Sequence, residues 1–228
     1  MNSQLDEALL NLRRTCAFAP VVPYEVGTHS AVHLDLSVNN QELKQAKITP
    51  TEGLAEYVER AITSRGATLG YGGYLEERAL YGTSEHFEGA EPRTIHLGID
   101  IWVSAGTPIF SPLDGKIHSF QENKNFLDYG PTILIEHDLG GAQLITLYGH
   151  LSRESLSGLF VGKPITRGEP IASLGDKSVN GGWPPHLHFQ LIVDPGEWKG
   201  DYPGVGERSK LDFYRQNCPD PMCLLPWA

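Results

Sequence analysis

The chain has 228 residues and a formal net charge of −10, with 18 Lys and Arg against 28 Asp and Glu. That balance argues against nucleic-acid binding, which needs a basic face to meet phosphate, and against docking on anionic membrane. The 40% hydrophobic content fits a globular protein, no run approaches the ~20 apolar residues of a membrane span, and three cysteines are an odd count that speaks against a disulfide framework.

In chain order, residues 2–15 read as an amphipathic helix, with Leu9 and Leu10 followed by Arg13 and Arg14. The stretch lacks the basic n-region and long apolar h-region of a secretory signal. Together with the cysteine count this points to a cytoplasmic location, with the cell envelope as the alternative. Ala31 to Val38 alternates like a strand, with Val32, Leu34 and Leu36 on one face. Pro50 or Thr51 opens a helix through about Ser64. Thr51 is its expected cap, and Gly66 stands where a terminating glycine belongs. Leu69–Tyr74 is rich in glycine and tyrosine, and Leu75–Tyr81 predicts a short helix. Residues 1–90 are therefore expected to form a folded N-terminal α/β extension or cap.

From Thr94 the pattern changes to strands and turns. Thr94–Val103, Pro108–Ser111, Lys116–Gln121, Thr132–His137, Gln143–Leu151, Pro170–Leu174 and His186–Val193 are strand candidates. Glycine-containing turns such as Ala105-Gly106, Asp114-Gly115 and Gly140-Gly141 separate them, which favours antiparallel pairing. Asp194 to Ala228, rich in Pro and Gly, is expected to wrap the domain as ordered coil. The fold class is mainly β, with a twisted antiparallel sheet in a domain over 91–228.

Two strings carry chemistry. In His96-Leu-Gly-Ile-Asp100, period-two alternation puts His96, Gly98 and Asp100 on one face and Ile95, Leu97, Ile99 and Ile101 on the other. In the second string His186, His188 and Gln190 share a face opposite Leu187, Phe189 and Leu191. Imidazole and carboxylate on a common face suit zinc, and two such strands side by side supply a metal site from rigid scaffold. His150 ends the strand candidate Gln143–Leu151, on the face of Tyr148, Thr146 and Leu144.

These strings, with Tyr148-Gly-His-Leu151 and Pro185-His-Leu-His-Phe189, resemble in content and order the signatures of M23 metallopeptidases, the family of lysostaphin and LytM. The likeness runs from about Glu91 to Val193. It implies a lysostaphin-type sheet with the active site in a groove on its face. Position by position it makes His96, Asp100 and His188 the ligands of one Zn2+ per chain, and His150 and His186 the two non-ligand active-site histidines. It implies a zinc-dependent endopeptidase in which metal-activated water attacks a peptide bond with histidine assistance. The expected partner is a peptide, of peptidoglycan or other short type. Residues 72–78 with 91–96 are similar, more loosely, to an M23-like segment of intracellular aminotransferase fusion proteins.

Chemistry supports the division of roles. Three protein ligands leave a position open for water, and without H-E-x-x-H a neutral histidine is the available base. His186, two residues from His188 on the same face, must lie near the metal. His150 would steer the scissile carbonyl or hold the oxyanion. The remaining histidines (His29, His33, His86, His118 and His137) read as surface or hydrogen-bonded core residues, Cys218/Cys223 as loop, and Tyr71, Tyr74 and Tyr81 as packing. A metallo-β-lactamase site wants H-x-H-x-D-H and a cupin wants an early glutamate after H-x-H; neither follows His188. The alternatives kept open are an altered amide substrate on the same fold and a non-catalytic metal-binding or interaction role.

Overall fold

The computed structural model describes residues 3–46, 48, 53–83 and 91–227. The first helix is α1 (Ser3–Thr15). Leu5 and Leu9 are buried and Leu12 is partly buried on one face, while Leu10 faces solvent. Asp6 in the first turn and Arg13 and Arg14 in the last complement the helix dipole. The alternating run from Ala31 yields only the short strand β1 (Ala31–His33). Leu34 and Leu36 are still buried, because the irregular chain after β1 is pinned by bonds from Leu34 N to Tyr71 O (2.8 Å) and from Leu36 N to Glu76 Oε1 (2.9 Å).

Helix α2 (Gln41–Ala46) starts where the Asn40 side-chain oxygen accepts from Glu42 N and Leu43 N. Helix α3 (Leu54–Thr63) buries Leu54, Tyr57 and Val58. Pro50 and Thr51, expected at its start, lie outside the described residues, as does His86. Gly66 closes α3 as expected, with φ +61° and its N–H on Thr63 O (3.0 Å). Strand β2 (Leu69–Gly72) follows. The helix expected over 75–81 does not form, and only a 3-10 turn, Ala79–Thr83, appears. Leu75 turns the chain at φ +51°, and residues 76–78 then run beside 94–96, with Arg78 N donating to Thr94 O and His96 N to Glu76 O (both 2.9 Å). Pairing with a neighbouring strand outweighs the local helical pattern.

The single strand expected over 94–103 is broken. It forms β3 (Arg93–His96) and β4 (Ile99–Trp102), separated at Leu97 and Gly98. The apolar row splits with it. Ile95 and Leu97 pack with Leu134 and Leu147, whereas Ile99 and Ile101 join Phe189, Tyr148 and Ile133. Strands β5 (Pro108–Phe110), β6 (Gly115–Asn123), β7 (Gly130–Asp138), β8 (Gln143–Gly149), β10 (Pro170–Ser173) and β11 (Leu187–Ile192) follow the sequence pattern closely, and the two-residue β9 (Pro164–Ile165) adds an edge strand that the pattern did not mark. The tail is more regular than coil: it holds β12 (Val205–Glu207) and α4 (Leu211–Asn217). Strand β12 pairs with β3, Val205 opposite His96, and Tyr214 of α4 packs against Gly206.

The main sheet has eight strands in the order β1-β2-β4-β11-β8-β7-β6-β9. Apart from the parallel β1–β2 pair its neighbours are antiparallel. The expected mainly β class with N-terminal helices holds. One core lies behind the sheet, where Phe189, Tyr148 and Ile133 meet Leu5 and Leu9 of α1. A second, around Leu36, Leu54, Leu80, Trp102 and Trp183, covers the opposite face.

Because Leu5, Leu9 and Leu69 share a core with the central strands, the extension should unfold with the sheet. Helical ellipticity and tryptophan fluorescence should report one urea midpoint, and Leu5→Ala should cost about 2–5 kcal/mol. A separate early loss of helix would refute the shared core.

Candidate metal centre

Strand β11 sits between β4 and β8, and its register puts His188 directly opposite Asp100 on one side and Gly149 on the other. The break at Gly98 swings His96 towards the same point. The atoms His96 Nε2, Asp100 Oδ1 and His188 Nδ1 form a triangle with sides of 2.9, 3.2 and 3.3 Å. Tetrahedral zinc with bonds near 2.1 Å spaces its ligand atoms by about 3.4 Å. Among the described residues, these three are the group of His, Cys, Asp or Glu whose ligand atoms approach within 4.8 Å. Close approach depends on Gly98, where a Cβ would lie 2.7 Å from both His188 Nε2 and Phe189 O.

The partners of each ring assign its tautomer. His96 Nδ1 faces Gly73 O at 2.9 Å, an atom that only accepts, so Nδ1 carries the proton and Nε2 a lone pair. His188 Nε2 faces Gln190 Oε1 at 2.9 Å. The orientation of that amide is fixed by its nitrogen, which donates to Pro203 O (3.2 Å). His188 therefore presents the lone pair of Nδ1. Both imidazoles and the carboxylate thus aim unprotonated atoms at one point, an arrangement that repels itself unless a cation lies there. The residues fit a metal ion.

Around the triangle stand the other two histidines. His186 Nδ1 donates to Pro184 O (2.7 Å), which leaves Nε2 unprotonated and 3.6 Å from Asp100 Oδ1. Its ring stacks on Trp102 at 4.3 Å. His150 Nδ1 donates to Asn180 O (3.2 Å), and its ring centre is 4.2 Å from that of His186. The expected orientation of His150 is corrected here. Leu144 and Tyr148 face the core behind the sheet, but His150 adopts φ +64° just past the end of β8 and turns to the site face. A non-glycine residue in this left-handed region is strained by about 1–3 kcal/mol and needs surrounding structure to hold it. Bonds from His150 N to Tyr129 O (2.8 Å) and from Gly175 N to His150 O (2.9 Å) do so.

All five residues are at most 4% exposed. Burial, and then the Arg78 charge, pushes the His96 pKa down to about 4. Burial followed by His186 and His188 holds His150 well below the ordinary histidine value. Burial lowers His186 too, although Asp100 pulls the other way. For Asp100, burial alone would raise the pKa, but His96 and Arg78 reverse this and keep it a carboxylate. The rings of His96, His150 and His186 are neutral bases and the aspartate is charged, the protonation that metal binding requires.

Further residues complete the site. Gln190 was legible, since it shares the face of His186 and His188. Tyr129, whose hydroxyl is 3.4 Å from His188 Nε2, carries no local signal; it fits only because Gly149 and Gly204 have no side chains. Tyr81, expected in packing, lines the cavity, while Tyr71 and Tyr74 pack elsewhere. His29, His33 and His118 lie away from this cavity, and His137 is a buried core residue bonded to Thr146 Oγ1 (2.7 Å). The three cysteines are free, with Cys218 buried beneath Gln190. No helix among the described residues is long and apolar enough to cross a membrane.

An uncharacterized metalloprotease of Haemophilus influenzae is 26% identical over 218 residues, covering 85% of this chain and 44% of that protein. The L-Ala–D-Glu endopeptidase of Bacillus subtilis is 26% identical over 147 residues, 61% of this chain and 42% of its own length. The chain thus spans less than half the length of these two curated relatives. The catalytic domain of lysostaphin, an antimicrobial peptidase of Staphylococcus simulans, is 21% identical with a TM-score of 0.39, covering 71% of this chain and 97% of that domain. The sequence model of peptidase family M23 matches residues 94–199. On that match the segment from 94 to 199, which carries His96, Asp100, His150, His186 and His188, is a domain of peptidase family M23.

Proposed function

We propose that this protein is a zinc-dependent endopeptidase acting on short peptides of the peptidoglycan type. The observation that carries the reading is the convergence of three unprotonated ligand atoms beside two further neutral histidines. Two imidazoles and one carboxylate are borderline ligands that suit zinc, and they leave a coordination position open. When bound, the metal supplies Lewis acidity towards water and the scissile carbonyl.

The protein's own groups supply the proton transfers. His186 Nε2, free and facing the centre, accepts a proton from the attacking water and returns it to the leaving amine. Its Nδ1 bond to Pro184 O and its stack on Trp102 hold the ring in that aspect. His150 Nε2 is a second acceptor, which orients the attacking water towards the scissile carbonyl. The name of the Bacillus relative supports a wall-derived peptide as substrate. Leu36, Leu54, Leu80 and Tyr81 of residues 1–90 line the cavity together with Trp183. We assign residues 1–90 the role of a cap, which must shift before a peptide chain can reach the centre.

Three outcomes follow from these assignments. Purified protein should contain one zinc per chain by elemental analysis, and His188→Ala should lose it. His186→Ala and His150→Ala should keep the metal and lose about 10²–10⁴ in turnover; loss of zinc from His186→Ala but not from His188→Ala would reverse the assignment.

Because burial lowers the His186 pKa, the base stays unprotonated as pH falls through the ordinary histidine range. The kcat/KM of the metal-loaded enzyme should therefore hold between about pH 7.5 and 6.5 and fall only below that. An acid limb centred above pH 6.5 would exclude His186 as the base.

Incubation with glycine-rich peptides, muropeptides and intact sacculi, read by mass spectrometry for new amines, tests the substrate. Cleavage of muropeptides supports the proposal. No new amine in any arm, from protein with full zinc, leaves the non-catalytic alternative standing.

A further inference from the structure

One buried charge has no part in the steps above. Arg78 is 4% exposed and comes from the segment before the family match. Its Nη1 donates to Asp100 Oδ2 (2.6 Å) and to the Tyr81 hydroxyl (3.0 Å), and its Nε donates to Glu76 Oε2 (2.6 Å). Glu76 is itself fixed, since Oε1 accepts from Leu36 N. The backbone of 76–78 runs along β3, the strand that carries His96. Gly73, just upstream, offers its carbonyl to His96, and a Cβ there would collide with the Arg78 guanidinium.

We propose that Arg78 is a positioning residue of the metal centre: braced by Glu76, its guanidinium takes Oδ2 of Asp100 and leaves Oδ1 to share a metal ion with His96 and His188. The inference rests on the metal reading of the preceding subsection. A carboxylate with both oxygens free can rotate, or chelate through both and fill the position needed for water. A short charge-assisted bond to one oxygen removes that freedom. The two oxygens are already divided, because the contacts to His96 Nε2 and His188 Nδ1 all go to Oδ1. Arg78 therefore does not compete for the metal's place. Lysine would keep the charge, but its single ammonium lacks the fork that spans Glu76 and Asp100.

The test compares full-length wild type with Arg78→Met, Arg78→Lys and Glu76→Gln. The readouts are zinc affinity by competition with a chromophoric chelator, the visible spectrum of the Co2+ form, and the thermal midpoint of the metal-free protein. Arg78→Met should weaken zinc binding by about 10–100-fold and alter the Co2+ bands. Arg78→Lys should recover part of both. Glu76→Gln, which keeps the guanidinium but removes its brace, should weaken binding less than Arg78→Met and serves as the decisive variant if that protein does not fold. A lower thermal midpoint with unchanged affinity and unchanged Co2+ bands means a merely structural arginine and overturns the proposal. Tighter zinc binding in Arg78→Met overturns it too, since the arginine would then be a lock that the metal displaces. Failure of the wild type to bind zinc sinks the metal reading and this inference together; normal wild-type binding with indifferent variants sinks this inference alone.

Discussion

Three lone pairs aimed at one point, with no proton among them, are the constraint on which the rest of this structure depends. Left alone, His96 Nε2, Asp100 Oδ1 and His188 Nδ1 would repel one another or capture a proton. They are kept unprotonated from behind. Gly73 O and Gln190 Oε1 hold the ring protons on the far nitrogens, and burial makes the cationic form of His96 costly. The polarity of the centre is set by groups that never face it, and each of those groups is in turn anchored. Gln190 rests on Pro203 O and Cys218, and Gly73 sits at the end of β2, which is bonded to β4.

Space is the second requirement, and glycine meets it. Gly98 breaks the strand between His96 and Asp100 and lets the His188 ring lie against the backbone. Gly149 leaves room for the Tyr129 ring beside His188, and Gly73 leaves room for the Arg78 guanidinium. In each case a methyl group would occupy the volume that a neighbouring polar side chain needs. The left-handed turn at His150 serves the same end by another route, since it moves one side chain from the core face to the site face at the cost of local strain.

The site also joins two parts of the chain that differ in sequence texture. The strands after Thr94 carry the four histidines and the aspartate, but Gly73, Glu76, Arg78 and Tyr81 come from the preceding segment and surround them. Strand β2 extends the same sheet, and α1 packs behind it. The roof over the cavity is apolar, and burial beneath it is what keeps His96, His150 and His186 neutral. Access and basicity are therefore opposed: a conformation that admits a peptide also admits water to these rings.

Period-two alternation was enough to find most of the strands and the face shared by His186, His188 and Gln190, because strand geometry is local. The metal-ligand residue types and the order of the three motifs also lay open in the sequence. What local pattern misjudged were places where a distant partner overrode it. The run 94–103 breaks because β12 claims β3 while β4 joins the main sheet; 76–78 is extended because it pairs with β3; and His150 leaves its strand's alternation because Tyr129 and Gly175 hold its backbone. Arg78 meets Asp100 across 22 positions and Tyr129 meets His188 across 59, distances at which no spacing rule operates. The sequence by itself determined which side chains and which sheet this protein would use. Only the tertiary structure decided which nitrogen of each ring carries the proton and which oxygen of Asp100 is free, since those depend on acceptors brought in from elsewhere in the chain.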